Sequence, residues 1–143
     1  MVEVIKEPAP IHTLNVRCDA GAYADEFGEA GEFFAKHLAG WNAIPITARF
    51  PITVFIVEDV RDKVGYAVGP LTDYATVDID GVKDNLASTM MHEITHVCNN
   101  WHWHPLSNLM YPDSWKNGSK VRGDQVTWFQ KKILRSSRHV TYW

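Results

Sequence analysis

HEITHVCNNWHWHPLSNLMYP, residues 92–112, gathers four of the seven histidines of the 143-residue chain, together with a glutamate and a methionine. On an α-helix, side chains four apart stand one above the other, so a helix through this stretch lets His92 and His96 present two imidazoles to one ion. Glu93 projects close to that face but turned aside. This is the HExxH arrangement, in which two histidines ligate zinc and the glutamate works on a metal-activated water. A catalytic zinc takes a third protein ligand and keeps one position open, and a continuing helix cannot supply that ligand. Asn99 tolerates the left-handed backbone that ends a helix, and His102 follows three residues later to complete the set. His104 competes for the place, but it precedes Pro105 and is biased to an extended loop, so His102 is the expected ligand.

Outward from this stretch, Leu86, Met90, Ile94 and Val97 form an apolar stripe at helical spacing, which predicts a helix over about 84–99. Upstream, ITVFIVED (52–59) reads as an interior strand, and VGYAVG (64–69) and DYATVDI (73–79) as two more, separated by the turn residues Gly69 and Pro70. Residues 24–40 predict an amphipathic helix with Phe27, Ala30, Phe34 and Leu38 inward and Gly40 as its cap. HTLNVRC (12–18) alternates as a half-buried strand does, and the prolines of EPAP make residues 1–10 an extended arm. Downstream, Asp124 is the expected cap of a last helix that turns Val126, Phe129, Ile133 and Leu134 inward.

HEITHVCNNWH resembles the HExxHxxGxxH signature of the metzincin metallopeptidases, and NLMYP, with Met110 eight residues beyond His102, resembles the Met-turn of matrixins. Asn99 stands where the signature has glycine. Pro112 stands where astacin-like relatives carry an extra tyrosine ligand, so the likeness is to matrixins. It implies one catalytic zinc ion on His92, His96 and His102, Glu93 as general base and then acid, and Met110 beneath the metal. The implied activity is hydrolysis of peptide bonds, with a protein or peptide as the substrate. The implied fold is α+β: a twisted mixed sheet with one antiparallel edge strand, the motif helix, and a C-terminal helix after the Met-turn. Substrate would lie extended along VGYAVG, touching Val68 and Gly69, and Tyr111 and Pro112 would line the pocket for the residue after the cut. The family's aromatic residue two positions past the proline is replaced by Ser114, with Trp115 next, which implies a different pocket.

At 143 residues, one domain spanning 1–143 with a single core is expected. A net charge of −3 and a pI near 6.1 give no broad cationic field for nucleic acid or an anionic membrane. The chain as given holds no signal peptide and no apolar run long enough to span a bilayer, and its location stays open because a domain cut from a precursor would look the same. Oligomeric state is equally open. Cys18 and Cys98 read as buried thiols rather than a disulfide framework. Calcium has no motif, since Asp78, Asp80 and Asp84 fail the usual loop spacing and serve turns instead. Two other readings fit the same residues: an HExxH hydrolase with its third ligand elsewhere, and a zinc-stabilised binding module of a larger assembly.

Overall fold

The protein is described by a computed structural model over residues 4–18, 28–38, 50–80, 86–113, 115–116, 119–120 and 122–140. In chain order these form α1 (Ile11–Leu14), β1 (Asn15–Val16), α2 (Glu29–Lys36), β2 (Thr53–Val57), β3 (Asp59–Val60), β4 (Gly65–Tyr66) and a 3₁₀ turn (Gly69–Leu71). There follow β5 (Tyr74–Asp78), α3 (Leu86–Val97), β6 (Trp115–Lys116), β7 (Ser119–Lys120) and α4 (Trp128–Ser136). The architecture is mixed α+β, with small sheets and four helices among the described residues.

β2 is a run of β-branched and aromatic residues, the type that fits a pleated, covered surface. It pairs in parallel with β5, Thr53 opposite Tyr74 through Val57 opposite Asp78, while β4 pairs antiparallel on the other side of β5. The order β2-β5-β4 puts β5 in the centre, where Tyr74, Ala75, Thr76 and Val77 are all buried, and leaves β2 and β4 as the edges among the described residues, so the run expected as an interior strand is an edge. β1 pairs in parallel with β3, and β6 with β7 as an antiparallel hairpin. The core gathers under α2, where the Phe34 ring lies 4.7 Å from Phe55 and 5.0 Å from Tyr74, with Val16, Phe33, Val57 and Val60 around them. Each such side chain contributes roughly 1.5–3 kcal/mol on burial. Ile5 and Ala9 of the irregular N-terminal arm pack on the same cluster. α3 lies against β5, β4 and the 3₁₀ turn, which carries its histidines to the β4 side of the sheet.

Several sequence expectations need correction. Residues 12–18 are not one strand. Pro10 starts a helical turn in which both the backbone N–H and the hydroxyl of Thr13 bond to the Pro10 carbonyl, at 3.0 and 2.6 Å, and only Asn15–Val16 extend. A threonine hydroxyl that finds a local carbonyl competes with the sheet in this way. VGYAVG is a strand only at Gly65–Tyr66; Gly69 takes φ 75°, open to glycine at no steric cost, and with Pro70 turns the chain off the edge. Val68 and Gly69 therefore sit in the turn. The last helix is capped by Thr127, not Asp124: its hydroxyl accepts from Gln130 N–H at 3.2 Å and the Gln130 side chain accepts from Thr127 N–H at 2.8 Å. Starting there, the helix leaves Phe129 54% exposed and buries Gln130. Helix α2 covers 29–36 of the expected 24–40, and Phe27 and Gly40 lie outside the described residues.

Candidate metal centre

α3 ends as its sequence dictates. Asn99 adopts φ 69°, its N–H bonds to the His96 carbonyl at 2.8 Å, and Asn100 N–H reaches back to the Thr95 carbonyl at 3.1 Å. This paired closure around a left-handed residue is a Schellman ending, with asparagine in the place glycine usually takes. It reverses the chain within three residues and brings His102 back toward His92 and His96. The three ligand nitrogens lie within 4.8 Å of one another, with Nε2 of His96 3.0 Å from that of His92 and 3.2 Å from that of His102. Tetrahedral zinc with nitrogen ligands at its usual distance sets neighbouring nitrogens about 3.3 Å apart.

The opposite ring nitrogens determine which atoms face inward. His92 Nδ1 lies 2.8 Å from the Leu109 carbonyl and His96 Nδ1 lies 2.8 Å from the Asn100 carbonyl. A carbonyl only accepts, so each Nδ1 carries the proton and each Nε2 carries a lone pair. Lone pairs facing one another at 3.0 Å repel unless a cation lies between them. The residues therefore fit a metal ion and are compatible with zinc. Burial lowers the His92 pKa to about 3 and the His96 pKa to about 4, and it lowers that of His102 as well. All three rings are neutral near pH 7, the state a ligand requires.

Glu93 follows the first ligand and is 6% exposed. Burial pushes its carboxyl up to about 8, against the opposing pull of the Arg122 and Lys63 charges. Arg122 is itself buried. Its Nε donates to the Tyr111 carbonyl at 2.8 Å and its Nη2 to the Pro112 carbonyl at 2.9 Å, while Nη1 has no partner. Nothing in the pattern of residues 113–123 announced this arginine, because one cation in a polar loop carries no periodic signal.

Next to Leu109, whose carbonyl holds His92, Met110 is fully buried in a turn closed by Tyr111 N–H to the Asn108 carbonyl, and the Asn108 side chain accepts from Met110 N–H at 2.8 Å. Trp103 N–H bonds to the Met110 carbonyl at 2.8 Å, tying the segment after His102 to the same turn. Asn108 and Gln130 exchange side-chain amide bonds at 2.9 and 3.1 Å, so the turn is fastened to α4. Tyr111 and Pro112 are half-buried just beyond it.

Among the described residues only His92, His96 and His102 form such a group, and His104 stays out of it. Neither cysteine is in a disulfide; Cys98 is buried as expected, whereas Cys18 is only half-buried. Asp78 accepts from Val60 and Asp80 N–H, consistent with a turn role, and Asp84 lies outside the described residues. His37 contacts the Phe33 carbonyl at 2.8 Å, and the almost fully buried His139 contacts that of Phe50 at 2.6 Å; both are structural. Trp101 and Trp103 are exposed, 76% and 46%. No helix among the described residues is long and apolar enough to cross a membrane.

Fold and site together define a mixed α+β protein with a three-histidine centre able to hold a metal ion. No protein-family model matches the chain, and neither does any curated protein or solved structure.

The shifted groups set the acid response of the metal-free chain. His92 and His96 are depressed in the fold, so their contribution is present above the unfolded value of 6.5 and is lost as the pH falls toward about 4 and 3. Glu93 is raised from 4.5 to about 8, so its contribution is full below pH 4.5 and lost as the pH rises through 8. Between pH 6.5 and 4.5 two histidines outweigh one glutamate. Metal-free protein is therefore expected to melt at a lower temperature at pH 5 than at pH 6.5. Equal melting temperatures would mean that the rings take up protons inside the fold.

Proposed function

We propose that the chain is a zinc-dependent endopeptidase of the metzincin type, matrixin-like. The observation that carries the reading is the convergence of His92, His96 and His102 with a buried glutamate directly after the first of them, joined through the Leu109 carbonyl to a turn with a buried methionine. Zinc, when bound, supplies Lewis acidity to the attacking water and to the scissile carbonyl.

The chain's own groups do the rest. Glu93 takes the proton of the attacking water at its carboxylate and returns it to the leaving amine. The Leu109 and Asn100 carbonyls keep the first two imidazoles in the ligand tautomer. Peptide lies extended beside β4, so its backbone meets Gly65–Tyr66, with Val68 and Gly69 in the turn that follows. Tyr111 and Pro112 line the pocket for the residue after the cut, and Arg122 braces both of their carbonyls from within. A purely structural zinc site would be closed by a fourth protein ligand, and the one nearby histidine in sequence, His104, is not among the clustered groups.

The test is cleavage of a mixed-sequence quenched peptide library by the zinc-loaded chain and by the chelated chain. Turnover that disappears with chelator and returns with zinc is expected. A fully loaded, folded chain that cuts nothing overturns the peptidase reading.

A further inference from the structure

Glycine within a strand forfeits packing and costs conformational entropy, so it often marks a close approach. Gly65 lies in β4, and among the described residues the only glycine with positive φ is Gly69, so backbone conformation does not explain Gly65. Space does. A Cβ built on Gly65 would stand 2.8 Å from Cγ of Glu93, 3.0 Å from its Oε1 and 3.2 Å from its Cδ. Carbon atoms in good contact sit about 3.5–4.0 Å apart, so a methyl group here overlaps the glutamate. The overlap begins at Cγ, near the root of a side chain that is itself buried, so Glu93 has little room to swing clear. The edge strand thus carries a notch one methyl group deep, and the glutamate beside the metal ligands lies in it.

We propose that Gly65 is a positioning residue for Glu93: the missing side chain on the edge strand fixes where the carboxylate stands relative to the three-histidine centre. The role rests on the peptidase reading, whereas the contact itself does not. Gly65 acts through the placement of Glu93 and has no group of its own that takes part in the reaction. β4 is an edge strand, so the strand that places the base also lies where an extended peptide would run.

The experiment is a cycle of Gly65→Ala and Glu93→Ala in the full chain, with zinc affinity read by chelator competition, kinetics on a cleaved peptide, and thermal melting. Gly65→Ala is expected to lower kcat about 100-fold, the order of loss that a 1 Å misplacement causes, while KM and zinc affinity stay within about threefold. The same substitution is expected to lower the melting temperature in the native background and not in Glu93→Ala, which removes all three overlapped atoms. If Gly65→Ala alone does not fold, recovery of folding in the double variant is the expected coupling. Native kcat in Gly65→Ala, or an equal melting loss in both backgrounds, overturns the proposal. A native chain that binds zinc and cuts nothing sinks the peptidase reading and with it the catalytic role, and the melting cycle then decides whether the contact exists.

Discussion

Glu93→Gln is expected to keep its zinc and to lose about two to four orders of magnitude in peptide hydrolysis, the range that a positioned proton-transfer group supplies. The amide has nearly the shape of the carboxyl, so it fits the space beside Gly65 and leaves the helix and the ligand set undisturbed. It cannot accept a proton from water at neutral pH. The burial that raises the carboxyl to about 8 in the metal-free chain also brings its basicity close to a neutral working pH, where a general base is most effective. The measurement is kcat per equivalent of bound zinc for both proteins, using any peptide that the library yields. A glutamine variant with full zinc and native turnover would remove Glu93 from the chemistry and leave the metal to act with a different base.

The centre was legible because its chemistry is local. His92 and His96 need only the helix repeat to meet, and the turn that returns His102 needs only one residue able to take a left-handed backbone, which Asn99 does at φ 69°. β2 and β5 were legible as strands for a similar reason, since short apolar runs between turn residues have few other uses; only β5 is interior, because β2 ends the order β2-β5-β4 among the described residues and leaves Ile56 50% exposed. What sequence did not give were interactions between distant segments, or between two equally good local choices. Asp124 and Thr127 are both capping residues; the glutamine three places after Thr127 decides between them, and it reaches back to complete the capping box. Phe129 turns outward for another reason. Hydrophobicity favours it for the inner face, but the space beneath the helix is taken by Gln130, whose amide answers Asn108 22 residues away. Gly65 and Arg122 belong to the same class, because a glycine's vacancy and an arginine's burial mean something only once the facing residue is known.

Asn108→Ala is expected to be the most damaging substitution outside the ligands, because it removes three bonds from a buried site at once. Asn108 accepts from Met110 N–H at 2.8 Å and exchanges bonds with Gln130 at 2.9 and 3.1 Å. Truncation leaves the Met110 N–H and the Gln130 amide nitrogen without partners, while Gln130 Oε1 keeps Thr127 N–H. Each stranded buried donor costs about 1–3 kcal/mol, so a loss of roughly 2–6 kcal/mol is expected in urea unfolding of the metal-free chain. A second effect follows from where the turn sits. Leu109, between Asn108 and Met110, supplies the carbonyl that holds His92 Nδ1, and losing such an outer partner weakens metal binding about 10–100-fold. Gln130→Leu separates the two effects, since it releases α4 from the turn but leaves the Asn108 to Met110 bond in place. It is expected to destabilise the fold with a smaller change in zinc affinity. If both variants lose stability equally and neither loses zinc affinity, the methionine turn does not set the His92 ring, and the ligand geometry is held by α3 alone.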